Sequence, residues 1–298
     1  MSLSLVPHLW FDTQAVEAAT WWVSRFPDSE VTRTSVLRDT PSGDCDVVAF
    51  RLWGLDFAAI SAGPLFRFSP AVSFHVACED AAQVEALWAE LAAGGQELMP
   101  LDAYPWSERY GWCADRYGVS WQLTAVEGPV EQRITPTFMF TGDVAGRAEE
   151  ALDVWASAFD DTEVGTVARH DGSGPDPAGT IARAEVRLAG TWIAVGDSAH
   201  DHGVGFDESV SLLVTVDTQD ELDRVSDALS ADPDAEMCGW LKDRFGVSWQ
   251  VNPRAMDELL ASGTPEQVAA VTEAFLTMKR FDIAALEAAA RGAAPTSG

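Results

Sequence analysis

Positive charge is scarce in this chain of 298 residues: 19 Lys and Arg stand against 47 Asp and Glu, a formal net charge of −28 at pH 7. Such a surface repels nucleic acid and anionic membrane leaflets, so neither is expected as a partner. Long apolar runs are missing as well. None approaches the ~20 residues of a membrane span, and the first residues, Met1 to His8, lack the basic and continuously apolar regions of a secretory leader, so the protein is expected in the cytoplasm. There are four cysteines, Cys45, Cys78, Cys113 and Cys238, at wide spacings with no C-x-x-C. A zinc ribbon or redox dithiol is therefore not indicated, and buried or idle thiols are expected. With 47% hydrophobic and 22% charged residues the composition is that of an ordinary globular chain, which excludes the disordered classes.

What is present is a duplication. Gly111-Trp112-Cys113-Ala114-Asp115-Arg116-Tyr117-Gly118-Val119-Ser120-Trp121-Gln122 returns 128 residues later as Gly239-Trp240-Leu241-Lys242-Asp243-Arg244-Phe245-Gly246-Val247-Ser248-Trp249-Gln250. Pro7–Phe11 returns as Pro136–Phe140, Phe26–Val31 as Phe159–Val164 and Val72–Phe74 as Val210–Leu212, in the same order. Against a length prior of ~150 residues per domain, this predicts two homologous domains, 1–126 and 134–253. Residues 254–298 read as a helical extension, with Val268, Val271, Phe275 and Met278 at helical spacing and Pro265 opening a helix after Thr264.

Within each domain the pattern strand, helix and three strands is expected twice. In the first half, 5–11 alternates as a strand, Ala15 to Arg25 has helical spacing, and 31–37, 47–53 and 57–61 are β-rich. In the second half a strand over 71–78 leads to a helix capped by Asp80, then to strands near 97–102, 110–115 and 119–125. Gly54, Gly118, Gly190 and Gly246 each lie between the last two strands of a half, where a hairpin needs a positive φ or a bulge. Four such glycines mark four units of an α+β fold.

Alternation assigns faces to the strands. Leu5, Pro7, Leu9 and Phe11, then Val72, Phe74 and Val76, then Val119, Trp121 and Leu123 form apolar sets expected in the core. The opposite faces carry His8 with Trp10, Ser73 with His75, and Ser120 with Gln122 and Thr124. These polar groups are expected to converge on a sheet surface that no helix covers, with Trp10, Trp106 and Trp112 as candidate walls. His200-Asp201-His202 reads as a solvated loop. Asp115-Arg116 and Asp243-Arg244, each before a turn glycine, read as turn chemistry or a fixed ion pair.

The chain resembles the PhnB-like branch of the glyoxalase, bleomycin-resistance and dioxygenase (vicinal oxygen chelate) superfamily. The resemblance runs over nearly the whole chain and is carried by Pro7-His8-Leu9-Trp10-Phe11-Asp12, Phe26-Pro27-Asp28-Ser29, Gly63-Pro64-Leu65-Phe66-Arg67-Phe68, both Gly-Trp…Ser-Trp-Gln motifs and Met278-Lys279-Arg280-Phe281-Asp282. It implies tandem glyoxalase-like domains of paired βαβββ units, forming a curved, partly open antiparallel sheet whose hollow holds a divalent metal or a small molecule. Metal-using relatives usually supply His, His and Glu. Those places fall here on His8, on Ser73 or its same-face neighbour His75, and on Gln122, a set without a carboxylate. Phe57–Ser61, where isomerase relatives place a Glu, offers none. The matching positions of the second domain, Thr137, Ser211 with Leu213, and Ser248 with Gln250, contain no histidine, so that domain is expected to act as a pseudo-symmetric partner. Many such sequences carry a demethylubiquinone methyltransferase label, but no glycine-rich nucleotide loop follows a first strand of a parallel sheet, and S-adenosylmethionine-dependent methyl transfer is not expected.

Two functional readings follow. In the first, the hollow of domain one binds a small aromatic or apolar molecule through His8, Trp10, Ser73, His75, Trp112, Ser120 and Gln122, around a degenerate metal site. In the second, the chain is a metal-dependent lyase, isomerase or dioxygenase. His8, His75 and Gln122 then hold a divalent ion whose shell is completed by water or by a loop carboxylate, Glu79 or Glu108. Duplication supplies internally the pairing that single-domain relatives obtain by dimerising, so a monomer and a homodimer both remain open.

Overall fold

The computed structural model describes residues 3–293. Three units have the strand, helix and three-strand order. They are β1 (Ser4–Phe11), α1 (Ala15–Val23), β2 (Glu30–Thr40), β3 (Gly43–Leu52) and β4 (Leu55–Ser61); β5 (Val72–Cys78), α2 (Ala81–Leu91), β6 (Gln96–Tyr104), β7 (Ser107–Ala114) and β8 (Ser120–Ala125); and β9 (Ile134–Phe140), α3 (Ala148–Ala158), β10 (Thr162–Arg169), β11 (Ile181–Leu188) and β12 (Thr191–Asp197). The fourth departs from the expected pattern: β13 (Val210–Val216) and α4 (Gln219–Leu229) lead to only two strands, β14 (Trp240–Lys242) and β15 (Ser248–Pro253). Asp232-Pro233-Asp234 occupies the place of the missing strand, and a proline there removes a ladder donor.

Local chemistry accounts for the boundaries. Gly54, Gly118, Gly190 and Gly246 all have φ between +83° and +89°. At two of the turns the preceding residue, Trp53 or Ala189, also has positive φ, which gives the two-residue turn whose twist suits a hairpin. The Asp80 carboxylate accepts from the Gln83 backbone N–H at the start of α2.

The sheets do not follow the duplication. One has the order β14-β15-β13-β1-β4-β3-β2 and joins the first unit to the fourth; the other, β10-β11-β12-β9-β5-β8-β7-β6, joins the third to the second. Both seams are antiparallel, with His8 opposite Ser211 where β1 meets β13 and Ser73 opposite Thr137 where β5 meets β9. Each seam hides two strand edges that would otherwise stand open.

Units belonging to the same repeat meet through their apolar faces instead. Leu9, Phe57, Phe74, Trp121, Phe138, Ile193, Leu212 and Trp249 belong to one continuous core. The Phe57 and Phe74 rings, from different sheets, lie 5.3 Å apart. Both sheets thus turn one face inward, and their other faces point outward on opposite sides of the molecule.

A buried carboxylate ties the units of each repeat together. Asp115 Oδ2 accepts from the indole N–H of Trp22 in α1 at 2.8 Å and of Trp121 in β8 at 2.9 Å, while its Oδ1 accepts from the backbone of Tyr117 and Val119. Asp243 repeats the arrangement with Trp155, Trp249, Phe245 and Val247. The turn chemistry is as expected, but neither aspartate pairs with its neighbouring arginine: Arg116 lies over the Trp21 ring and Arg244 reaches Glu150.

The C-terminal helices are α5 (Arg254–Ser262), α6 (Pro265–Phe275) and α7 (Ile283–Gly292). α5 contacts β15 and α6 reaches β2, on the far side of the first sheet. Between α6 and α7 the chain runs along β14, where the backbone N–H groups of Cys238 and Gly239 donate to the Met278 and Lys279 carbonyls at 2.8 Å each. The tail is therefore fastened just ahead of β14, while β14 itself is bonded by Ala231 and Met237 of the segment that replaces the missing strand. Gly239 has φ +78°, and a Cβ there would lie 2.4 Å from the Phe281 ring. Gly239→Ala is expected to cost roughly 2 kcal/mol and to make the segment from Arg254 onward cleave earlier in limited proteolysis. An unchanged cleavage pattern would show that the tail does not depend on this contact.

Among the described residues no helix is long and apolar enough to cross a membrane. Cys45, Cys78 and Cys113 are buried free thiols and Cys238 is a partly buried one. Burial pushes the Cys78 and Cys113 thiols up to about 12, leaving them protonated and unreactive.

Candidate functional site

The outward face of the second sheet is polar and partly pre-arranged. On β5, His75 stands beside Gln122 of β8 and opposite Thr135 of β9; Ser73 stands beside Ser120 and opposite Thr137. Gln122 is held at both ends of its amide, accepting from the Tyr110 hydroxyl at 2.8 Å and donating to Ser73 Oγ at 2.7 Å. The Trp112 indole donates to Ser120 Oγ at 2.7 Å. These bonds lock the floor side chains into single rotamers.

His75 makes no hydrogen bond among the described residues. Burial and, second, the Arg183 charge lower its pKa to about 3, so the ring is neutral at pH 7. Arg183 belongs to β11, and four strands separate β11 from β7 in the sheet order. Its charge nevertheless acts on Tyr110 of β7. A sheet that curls toward its own ends would bring β11 and β7 within that reach across a hollow. Arg183 holds Glu185 through Nε and Nη2 at 3.2 and 2.8 Å, and its Nη1 has no partner among the described residues. At the rim the rings of Tyr104, Trp106 and Tyr110 lie 5.0 to 5.8 Å from one another, with Trp106 exposed at the hairpin tip rather than lining the interior.

The first sheet bears its own hollow. His8 lies 5.6 Å from the Trp240 ring, and Trp10 lies 5.8 Å from Trp240 and 5.2 Å from Phe66. Gln250 donates to Ser211 at 3.0 Å, repeating the Gln122–Ser73 pair of the other sheet. Burial lowers the His8 pKa to about 4.

This arrangement corrects the expected site. His8 and Trp10 lie in the first sheet, whereas Ser73, His75, Trp112, Ser120 and Gln122 lie in the second, on the opposite outer face. The cause is the exchange of partners, since β1 pairs with β13 and not with β5. The proposed metal set of His8, His75 and Gln122 is divided between two hollows. Each hollow draws half its lining from the other repeat, so Arg183, Glu185, Thr137 and Trp192 join the second and Trp240, Ser211 and Gln250 the first. The same strand parity marks these residues in the sequence, but nothing there says which strand they would meet.

The side chains present do not fit a divalent ion. Among the described residues no group of three His, Cys, Asp or Glu could hold one. The second hollow offers one imidazole, an amide and hydroxyls, and its carboxylate, Glu185, is held by Arg183. Glu79 is exposed and paired with Arg133, and Glu108 is exposed. Of the described residues placed above in the first hollow, one carries an imidazole and none a carboxylate. Neither approaches the two-histidine, one-carboxylate pattern. His200 and His202 are exposed on a loop with ring centroids 6.0 Å apart, and His202 is bonded to Ser198.

A family model described as 3-demethylubiquinone-9 3-methyltransferase matches residues 3–124 and again residues 132–252. The chain belongs to this family. A PhnB protein from Bacillus cereus is 35% identical over 41% of this chain and 98% of its own, with a TM-score of 0.38. Glyoxalase I from Zea mays is 10% identical, covers 87% of this chain and 96% of its own, and has a TM-score of 0.56. That second likeness is one of fold: the PhnB-like chain has the α+β glyoxalase fold along most of its length. No curated protein matches it.

Proposed function

We propose that this PhnB-like chain is a small-molecule binding protein whose second hollow holds, without a metal, a flat aromatic molecule carrying one carboxylate or similar acceptor. The observation that carries this reading is the neutral imidazole of His75 on the floor, which makes no hydrogen bond among the described residues and stands within electrostatic reach of Arg183 of β11. The Tyr110–Gln122–Ser73 relay supports it, because a floor already held by hydrogen bonds loses little side-chain freedom when a guest arrives. Trp112 and Trp192 are partly exposed and offer aromatic walls. The methyl transfer in the family description has no support in this fold: β1 lies in a mixed sheet and passes to α1 through Asp12-Thr13-Gln14, with no glycine-rich turn for a nucleotide.

Calorimetric titration with 1-naphthoate tests the reading. One saturable site is expected, weakened about tenfold or more in Arg183→Gln, because a charge-assisted hydrogen bond is lost. Binding should vanish in Thr137→Trp, which places an indole in the hollow. Equal affinity in all three proteins would refute the site. Elemental analysis of protein purified without an affinity tag is expected to find less than one equivalent of any divalent metal. A full equivalent lost on His75→Ala would instead favour metal-dependent lyase, isomerase or dioxygenase chemistry.

A further inference from the structure

Four strand edges bound the two sheets, and three are guarded. β14 is bonded by Ala231 and Met237, α6 reaches β2, and β6 carries Pro100 and slips register against β7. The fourth, β10, contains no proline, and among the described residues no strand lies beyond it. A row of unpaired backbone groups of this kind is a template for another strand.

A bulge gives that edge its chemistry. Val164 pairs with Val186 and Val167 with Ala184, so Gly165 and Thr166 together oppose Glu185 alone. Three residues apart in a regular strand, the two valines would point to opposite faces. The extra residue turns both onto the face of Val186 and Ala184, which are core residues. At the edge they stay open to water, Val164 61% exposed and Val167 43%. Charge is balanced along the same strand. In a chain of net charge −28, Thr162–Arg169 holds one acid and one base, Glu163 paired with Arg187 and Arg169 with Glu149. Repulsion between two copies of so acidic a chain is therefore weak at this strand.

We propose that two copies of this chain join β10 to β10, antiparallel about a two-fold axis passing between residues 165 and 166, so that their sheets become one. Val164 then lies opposite the partner's Val167, and Val167 opposite the partner's Val164, with all four on one face. A one-residue slip would set each valine against the wrong face. On the other face Glu163 lies opposite the partner's Ala168, and Ala168 stands beside Arg183 in its own sheet. Each Glu163 is thereby placed between its own Arg187 and, across that small side chain, the partner's Arg183. The seam runs along the strand edge, outside both hollows, and stands whether or not either holds a guest.

Sedimentation equilibrium of the full chain at micromolar concentration is expected to give twice the 32.1 kDa chain mass. Val164→Lys should raise the dissociation constant of the dimer about a hundredfold or more, because the axis repeats the lost valine contact. Val167→Lys should do the same, while Val36→Lys, at an exposed position of β2, should change nothing. Register is tested by mixing Val164→Cys protein with Val167→Cys protein under mild oxidation. The mixture is expected to form a disulfide-linked dimer, since directly opposed Cβ atoms lie within disulfide reach, and neither variant alone should link more than the wild type. Circular dichroism establishes that each variant is folded, and if one lysine variant does not fold, the other decides. The proposal is overturned if the wild type sediments as a monomer, if the folded lysine variants remain dimeric, or if the mixed cysteine variants fail to link.

Discussion

Asp115→Ala is expected to lower the free energy of unfolding by about 4 kcal/mol, and Asp115→Asn by about 2. Four N–H donors converge on this buried carboxylate, two indoles on one oxygen and two backbone amides on the other. Alanine leaves all four without an acceptor in a place water does not reach. Asparagine keeps one oxygen for one pair of donors but turns its own N–H2 toward the other pair. Burial is also what pushes the Asp115 pKa up, with the four hydrogen bonds opposing it. The loss concerns more than a turn, because Trp22 rides on α1 and Trp121 on β8, so releasing them loosens one unit of the repeat from the other. Urea titration at pH 7 followed by far-ultraviolet circular dichroism measures it. A loss below about 1 kcal/mol for Asp115→Ala would mean that the donors find water and that the carboxylate does not bind the units together. Asp243→Ala is expected to act alike in the second repeat.

The second large effect is acid destabilisation through His8. The unfolded chain takes up a proton near 6.5, the ordinary histidine value, whereas the folded chain resists until about 4. Between these values the unfolded state binds more protons, so stability must fall as pH falls. By pH 4 the loss amounts to roughly 3 kcal/mol, from about 2.5 pH units at 1.36 kcal/mol each. His75, lowered to about 3, acts in the same direction. Asp115 and Asp243, whose pKa values burial raises, act in the opposite direction. Comparing the wild type with His8→Leu cancels these shared contributions. Denaturation at pH 7.5, 5.5 and 4 should show the wild type losing stability faster than the variant, with the gap opening below 6.5. Parallel curves would mean that His8 is solvated in the native state.

Much of this fold is written in short-range pattern. Period-two alternation in residues 5–11 and 71–78 marks β1 and β5, and the four glycines mark their hairpins because positive φ is a local demand. The missing strand of the fourth unit was not legible, because the tail segment that holds Cys238 and Gly239 beside its place returns from Met278 and Lys279, far along the chain. The role of Asp115 was hidden similarly: its spacing to Gly118 announces a turn, but nothing ties it to an indole 93 residues away.

The candidate site divides along the same line. That His8, Ser73, His75, Ser120 and Gln122 face away from the core could be read from their neighbours in the chain, since a strand buries every other residue. The amino-acid order by itself therefore determined the duplication, the four units and the polar face of each strand. Only the tertiary structure decided which polar faces share a hollow. A bare strand edge pairs through backbone groups that are nearly the same for every residue, so it carries no address for its partner. Once the apolar faces of the two units in a repeat are packed together, the edges of β1 and β5 are left to pair with strands of the other repeat, and the two histidines come to rest on opposite sides of the molecule.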